Sequence, residues 1–264
     1  MSIEHEPPID GAQAVRRAIQ VLQTLGHAPV HGMSLRDIVE RTALNKTTAH
    51  RVLGALVESQ MVARAGTGGR NYRLGPGIYA LGLVAGRGYS FRDAAELPCA
   101  RVCEATSDTV YLSMRNGFDS ICLSRHEGAF PIRTLTLTVG SVRPLGVGAG
   151  SLALLAALPD EDVDDVLAGI GTRLSAFPHY SPEFIRDLVS DTRARGYAHN
   201  DEHLIEGMSA MGLAIHHPTG DLLGAISIAA LSSRMDAARQ RRNYELLRSA
   251  SGEIVRTLTR LEAR

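Results

Sequence analysis

The chain has 264 residues, of which 44% are hydrophobic and 21% are charged, and its 28 basic residues balance its 28 acidic ones. This length exceeds the usual size of one domain, so the sequence predicts two domains in a protein of ordinary globular composition. No apolar run reaches the roughly 20 uncharged residues of a membrane-spanning helix, and the acidic N-terminus differs from a signal peptide, so we expect a cytoplasmic protein.

The charges are distributed unevenly along the chain. Residues 11–87 carry ten basic side chains against three acidic ones, which leaves the remainder mildly acidic. A basic end indicates that this part of the protein meets a polyanion, although a solvated surface would tolerate the same asymmetry.

Three helical patterns open the chain. The first, "GAQAVRRAIQVLQTLG", has apolar residues at helical spacing and stops at Gly26. Ser34 is a suitable N-cap for "LRDIVERT", and Asn45 caps "KTTAHRVLGALVES". In the last of these helices the apolar arc faces away from Thr47 and Arg51, as in a helix that enters the DNA major groove. A plain helical hairpin with a solvated face is the alternative.

A hairpin and a connecting helix follow these helices. The stretch "MVARAGTGGRNYRLG" alternates around a glycine-rich tip, and its second arm carries Arg70 and Arg73. An ordinary surface hairpin would look similar, but after two such helices it predicts a winged helix-turn-helix domain over residues 11–74. The stretch "GPGIYALGLVAGRG" predicts a linker helix over 75–87, with the domain boundary near residue 88.

Residues 88–264 mix strands and helices, which predicts an α+β domain. The first two strands form a hairpin through Asn116-Gly117. The run "IRTLTLTVG" predicts a third strand, "LLGAISIAAL" predicts a later one, and a long helix from about Met235 ends the chain.

The chemistry of this second domain points to binding rather than to catalysis. Gly146, Gly148 and Gly150 precede a helix but lack the partners of a nucleotide-binding loop, so they favour a seat for a small anion such as a carboxylate. The stretch "YAHNDEHLIEG" predicts a solvated acidic turn, with a metal site as the less favoured reading. No catalytic constellation or hydrolase motif is present, so we expect no enzyme activity, no cofactor and no metal. The three cysteines, Cys99, Cys103 and Cys122, are expected to be buried thiols.

Two sets of motifs carry a family resemblance. The first is "SLRDIVERTALNKTTAHRVLGALVESQMVARAGTGGRNYRLG", and the second is "RPLGVGAGSLALLAALP", then "RARGYAHNDEHLIEGMSAMGLAI", then "GAISIAAL". In this order and spacing they resemble the IclR family of bacterial transcriptional regulators, over nearly the whole chain. One departure is "ESQMVAR", in which Gln60 and Met61 replace the glycine-aromatic pair common before the family's wing.

The resemblance implies a fold class and an assembly. The fold is α+β, with an N-terminal winged helix-turn-helix domain joined by a linker helix to a larger PAS- or GAF-like α/β effector-binding domain over 88–264. The assembly is a homodimer or a homotetramer built as a dimer of dimers, and the family regulates catabolic genes in response to small organic acids, often aromatic.

The resemblance also implies a ligand pocket. Carried over residue by residue, its positions are Gly148, Ala149, Asn200, Ala210, Ser227 and Ala229. Several family members have an acid, a cysteine and a second serine where this chain has Asn200, Ala210 and Ala229. These departures remove three polar groups, so the ligand specificity of characterised members does not transfer. They favour either a larger or more apolar ligand, or a loss of ligand control.

We therefore expect a ligand-responsive DNA-binding regulator, most simply a repressor of a catabolic operon. Its partners would be a pseudo-palindromic double-stranded operator, a small organic acid and further copies of itself. The DNA contacts are expected from Ser34, Arg36, Lys46, Thr47, Thr48, His50, Arg51, Arg70, Tyr72 and Arg73. The competing hypotheses are an enzyme of small acids fused to a winged-helix module, and a winged helix that contacts only protein.

Overall fold

The computed structural model describes residues 12–65, 67–86, 90–132 and 136–262. The chain divides into two compact units, Met1–Gly88 and Tyr89–Arg264, and each has its own hydrophobic core. No helix in the described ranges is both long enough and apolar enough to cross a membrane.

The smaller unit is a helix-turn-helix followed by a β-hairpin. Its elements in chain order are α1 (Gln13–Gly26), β1 (Met33–Ser34), α2 (Leu35–Thr42), α3 (Lys46–Glu58), β2 (Val62–Ala65), β3 (Asn71–Leu74) and α4 (Pro76–Gly86). The three strands form an antiparallel sheet with β3 in the centre. Val21, Ile38 and Leu53, one from each of the first three helices, are almost fully buried and hold these helices together.

Side-chain caps position the two helices of the helix-turn-helix. The Ser34 hydroxyl accepts a hydrogen bond from the Asp37 N–H, and the Asp37 carboxylate accepts one in return from the Ser34 N–H, which forms a capping box. Asn45 Oδ1 accepts a hydrogen bond of 2.8 Å from the Thr48 N–H at the start of α3. Both predicted caps are confirmed. Between the helices Ala43 has a φ of 52°, which ends α2 and turns the chain towards α3.

The larger unit is built on a six-stranded antiparallel sheet in the order β6-β5-β4-β9-β8-β7. Its elements are α5 (Ser90–Thr106), β4 (Thr109–Asn116), β5 (Asp119–His126), β6 (Val142–Pro144), α6 (Ala149–Ala156), α7 (Asp160–Ile170), α8 (Pro182–Arg195), β7 (Ala198–Asp201), β8 (Met208–His216), β9 (Leu222–Leu231) and α9 (Ala237–Glu262). The predicted combination of a winged helix with a larger α+β domain is confirmed.

Helices cover both faces of this sheet. On one face Leu112, Ile226 and Ile228 pack with α5 and α9 in one core cluster. Residues 225, 227 and 229 of β9 point to the opposite face because side chains alternate along a strand. Ala225 there belongs to the cluster formed by α6, α7 and α8. The candidate pocket described below lies on that second face.

The predicted strand "IRTLTLTVG" is wrong for the part that the structure describes, since residues 136–140 form no strand. Side chains bind several backbone groups of this segment. The carbonyl oxygens of Thr136 and Leu137 accept hydrogen bonds from Arg143 at 2.9 Å and from Arg125 at 3.0 Å. The Thr136 N–H donates to the Tyr111 hydroxyl at 3.2 Å. The segment meets β5 only at its end, where the Gly140 N–H donates to the Cys122 carbonyl oxygen at 2.8 Å.

Candidate functional site

The exposed side of α3 is the candidate DNA-contacting surface. Ala49, Leu53 and Leu56 are buried against the rest of the smaller unit. The side chains left exposed on α3 and at its start are Lys46, Thr47, His50 and Arg51, while Thr48 is half-buried. Arg36 on α2 is also exposed, and the Ser34 hydroxyl is engaged in the capping box. The arrangement offers cations and small polar groups on one surface, as base and phosphate contacts require.

The residues of the wing that were expected to contact DNA differ in exposure. Arg70 and Arg73 are exposed. Tyr72 is only 4% exposed and packs in the core of the smaller unit, with the Arg64 guanidinium 5.2 Å from its ring centre. The aromatic ring is thus held inside by the central strand β3, and we remove Tyr72 from the set of DNA contacts.

A cavity in the larger unit brings together all six positions that the resemblance implied. The cavity is partly open to solvent and has a volume of about 40 Å³, which suits only a compact ligand. Gly148 and Ala149 reach it from the start of α6, Asn200 from β7 and the remaining three from β8 and β9. Those three are Ala210, Ser227 and Ala229.

The three departures from the family pattern lie in one row across the sheet. Asn200 pairs with Ala210 between β7 and β8, and Ala210 pairs with Ala229 between β8 and β9. The substitutions therefore change one continuous strip of the cavity wall. Two of its three members now present only a methyl group.

The N-terminus of α6 forms a second wall. Gly148 has φ of 84° and ψ of 157°, a conformation that side chains disfavour, and it places the first helical turn at the cavity. The N–H groups of residues 149–151 make no hydrogen bond within the described part of the chain. Strand β8 approaches the start of α6 closely at Gly212, where an added Cβ would lie 2.4 Å from the Ala149 carbonyl oxygen. The loop therefore offers backbone donors, as the sequence analysis predicted for an anion seat.

Several lining residues were missed by the sequence analysis. They are Tyr111, Ser113, Ser120, Thr136, Leu137, Arg143 and residues of the 204–209 loop and strand start. Among the described residues that line the cavity, Arg143 is the only basic one and none is acidic. The signal in the sequence that could have identified Arg143 is its position directly before the Pro-Leu-Gly of the glycine-rich loop.

Tyr180 determines how the Asn200 amide is presented. The Tyr180 hydroxyl donates a hydrogen bond of 2.6 Å to Asn200 Oδ1. Burial raises the pKa of Tyr180 to about 12, so this hydroxyl keeps its proton. Asn200 is only 4% exposed, and its Nδ2 group makes no hydrogen bond to the described residues. The amide therefore presents a donor at the cavity.

The histidines of the "YAHNDEHLIEG" stretch do not line the cavity. His199 is adjacent to Asn200 on β7, and burial lowers its pKa. His203 packs edge-on against the Phe184 ring, with ring centres 4.9 Å apart. Ala198–Asp201 of this stretch form β7, so the predicted turn begins only after Asp201. Within the described ranges, no three His, Cys, Asp or Glu side chains converge as metal ligands would.

The three cysteines are buried free thiols, as predicted from their spacing. Burial raises the pKa of Cys99 to about 12 and that of Cys122 to about 11, which disfavours the thiolate.

Comparison with known proteins connects both halves of the chain to one family. Residues 14–66 match the family described as IclR helix-turn-helix domain, and residues 88–256 match Bacterial transcriptional regulator IclR C-terminal. The HTH-type transcriptional repressor AllR of Klebsiella pneumoniae is 26% identical over 250 residues, which span 92% of this chain and 89% of AllR. The HTH-type transcriptional regulator KipR of Bacillus subtilis is 25% identical, over 93% of this chain and 97% of KipR.

Solved structures share the fold. The IclR transcriptional regulator of Alicyclobacillus acidocaldarius has a TM-score of 0.76 at 24% identity, over 92% of this chain and 98% of that one. An IclR homologue from Microbacterium hydrocarbonoxydans, complexed with 4-hydroxybenzoate, has a TM-score of 0.75 at 23% identity, over 93% and 99%. The matched family covers most of the chain with its two parts in order, and its members are regulators rather than enzymes. The chain belongs to the IclR family of DNA-binding transcriptional regulators.

Proposed function

We propose that this regulator represses a catabolic operon and is controlled by a small organic acid bound in the cavity of the larger unit. The observation that carries the proposal is the chemistry of that cavity, whose described lining has hydrogen-bond donors and one arginine and no acidic side chain. Such a lining favours an anion of small size. The 4-hydroxybenzoate bound to the Microbacterium homologue supports an aromatic acid as one candidate.

DNA binding is assigned to residues 11–74, the connection to 75–87, and effector binding and oligomerisation to 88–264. In a homodimer, or in a dimer of dimers, two α3 helices read the half-sites of a pseudo-palindromic operator. The contact set is that of the sequence analysis without Tyr72. Because its DNA target is in the cytoplasm, the protein works there.

Effector control requires two arrangements of the protein that bind the acid with different affinity. The difference in binding free energy limits the change in DNA affinity, typically to about 1–3 kcal/mol. The helix α4 is the last element of the smaller unit before the chain enters the larger one, which makes it the natural carrier of this coupling.

The proposal is tested by selecting purified full-length protein on randomised duplex DNA and sequencing the bound pool. We expect an inverted repeat, and we expect a panel of small carboxylates to include one that changes the affinity for that repeat. Enrichment of an inverted repeat without any effect of an acid would contradict the effector half of the proposal. A folded protein that enriches no sequence, with or without acids, would contradict the operator half.

Arg51→Ala tests the reading helix itself. Arg51 is exposed on α3 with no described ion pair, so its loss should weaken binding to the selected operator by about 1–3 kcal/mol if it contacts a base. The measurement is a fluorescence anisotropy titration on operator and on scrambled duplex. An unchanged preference for operator over scrambled DNA would remove Arg51 from the readout.

A further inference from the structure

Arg143 is a cation in the cavity without a counter-ion. It precedes Pro144 at the end of the edge strand β6, and a Cβ added at Gly148 would lie 3.2 Å from its Nη1. Its hydrogen bond to the Thr136 carbonyl oxygen, at 2.9 Å, is to a neutral group. In the described part of the chain no carboxylate forms an ion pair with it, whereas Arg125 nearby is paired with Glu127 at 2.6 Å.

The surroundings of Arg143 disfavour its charge. Burial lowers the pKa of its guanidinium, and the Tyr180 and Tyr111 hydroxyls act in the opposite direction. An arginine stays protonated even so, because its ordinary pKa is far above neutrality. A partly desolvated charge without a partner is costly, and an anion that entered the cavity would remove that cost.

Three uncharged groups of the same cavity also lack partners. The Asn200 amide is buried and presents Nδ2, as described above. The hydroxyls of Ser113 and Ser227 line the cavity and make no hydrogen bond to described residues. The Ser227 hydroxyl lies beside Gly150 at the start of α6, where an added Cβ would be 3.0 Å from its Oγ. These groups can donate to a carboxylate or to a second polar group on the same ligand.

The rest of the lining limits what the anion can carry. Leu137, Val147, Leu204, Ile205 and Met208 contribute apolar surface. The described lining supplies one cation and no acidic side chain, which balances one negative charge, so a second carboxylate would find no partner there. The lining therefore suits a compact apolar body that bears a single carboxylate.

We propose that Arg143 binds the carboxylate of a monoanionic effector, with the Asn200 amide as a second donor, and so determines the charge class that the cavity accepts. This inference rests on the proposed function and names the ligand class of its site. Arg143 offers the planar pair of N–H groups that matches a carboxylate. A neutral amide of the same shape forfeits this charge-assisted bond, and a dicarboxylate leaves its second charge unpaired.

The test compares acids with their amides in the full-length protein. The two pairs are acetate with acetamide and benzoate with benzamide, each titrated up to about 100 mM. Chloride is the balancing anion, so that the ionic strength stays constant. The measured quantity is the midpoint of thermal unfolding. We expect a saturable stabilisation by at least one of the two acids and none by its amide. Succinate should bind more weakly than the better monocarboxylate.

Matched variants locate the charge. Arg143→Gln should weaken binding of the monocarboxylate by about tenfold or more, and Arg143→Lys should keep part of the affinity. Arg125→Gln is the control, because Arg125 also binds the backbone of the 136–138 segment but does not line the cavity. It should retain the wild-type affinity. The folded state of each variant is checked by circular dichroism before the titrations.

Three results would overturn the inference. They are an absence of saturable stabilisation by either acid, equal stabilisation by acid and amide, and equal affinity in Arg143→Gln and the wild type. A failure of this inference can be distinguished from a failure of the proposed function. Carboxylate binding at Arg143 that leaves operator affinity unchanged would reject effector control alone, and an effector response that persists in Arg143→Gln would reject only the role of Arg143.

Discussion

Gln60 adopts a left-handed backbone conformation, with a φ of 60°, two residues before β2. The family pattern has a glycine in the pair that Gln60 and Met61 replace, and the structure shows what glycine provides there. The local geometry is tight, since Gly77 donates a hydrogen bond of 3.0 Å to the Gln60 carbonyl oxygen and a Cβ at Gly75 would lie 2.2 Å from the same atom. The chain thus keeps the turn but places a side chain in a conformation that favours glycine.

Gln60→Gly should therefore stabilise the protein. The Gln60 side chain is exposed, so its removal costs no packing, and relief of the left-handed conformation outweighs the greater freedom of glycine in the unfolded chain. We expect a gain of about 0.5–1 kcal/mol in the free energy of unfolding of the smaller unit, measured by urea denaturation. Gln60→Ala keeps the Cβ and is expected to gain nothing. A less stable glycine variant would refute this account of the turn.

His199 should make stability depend on pH. Burial lowers its pKa in the folded protein below the ordinary value, so near that value the unfolded chain binds more protons than the folded one. Stability is then highest at neutral pH and falls as the pH decreases through about 6.5. Replacement by a residue that does not titrate, His199→Phe, should flatten the dependence of the unfolding free energy on pH between about 8 and 5.5. The same slope in both proteins would show that His199 does not contribute.

Single residues differ in how well the sequence predicts them. Ser34 and Asn45 were predicted as caps because a cap depends on residues three positions away. Arg143 was missed because its role depends on which residues far along the chain surround it, Tyr180 and Asn200 among them. Tyr72 was placed at the DNA because basic neighbours flank it in sequence, whereas strand alternation turns it inward.

At the scale of elements, the wing presents two exposed arginines, Arg70 and Arg73, and one that is engaged, Arg64. Arg64 donates a hydrogen bond of 3.2 Å to the Gly69 carbonyl oxygen and lies over the Tyr72 ring. Arg70, at the end of the turn, is exposed and makes no such contact. The wing is thus held together by Arg64, and Arg70 is available to a phosphate.

Arg70→Ala should weaken binding to all duplexes to a similar extent. If Arg70 contacts a phosphate, the slope of log K against log salt should fall in magnitude by about 1. Arg101→Ala provides a charge-matched control, because Arg101 lies in the larger unit and pairs with Glu253 at 2.7 Å. Equal salt slopes for the Arg70 variant and the wild type would argue against a phosphate contact.

The elements also show where pattern reading succeeds and where it stops. The helices of the smaller unit and the hairpin of β4 and β5 follow local periodicity and turn residues, so the sequence predicts them. The segment 136–140 has the same alternating pattern but forms no strand, and Arg125, Arg143 and Tyr111 bind three of its backbone groups. Hydrogen bonds from side chains distant along the chain produce no periodic pattern in the sequence.

At the scale of the whole molecule, the chain is organised as two compact units. The organisation into a winged helix and a larger α+β domain could be predicted because motifs occur in a fixed order along the chain. The convergence of the six pocket positions could be inferred from the family resemblance alone, since they come from four elements spread over residues 148–229. The charge of the cavity could not be predicted from the sequence, because it depends on which side chains of these elements line the cavity.

Blocking the cavity should uncouple the units. Ala210 lines the cavity from β8, and Ala210→Phe would place a ring in the space of the effector. Operator affinity without effector should stay within about twofold of the wild type, and the effector response should disappear. Ala210→Ser, which adds only a hydroxyl, should keep the response. A full response in the phenylalanine variant, measured by anisotropy on the selected operator, would place the effector elsewhere.

The bond between Tyr180 and Asn200 also bears on how this regulator can evolve. Tyr180 holds the Asn200 oxygen, so the cavity receives a donor from a residue whose codon is one base away from that of aspartate. Such a change would place a negative charge in the cavity that contains Arg143. The protein would then carry a carboxylate beside the arginine, and the net charge of the described cavity lining would fall from positive to zero. A single nucleotide thus separates the present lining from one that supplies a counter-ion of its own.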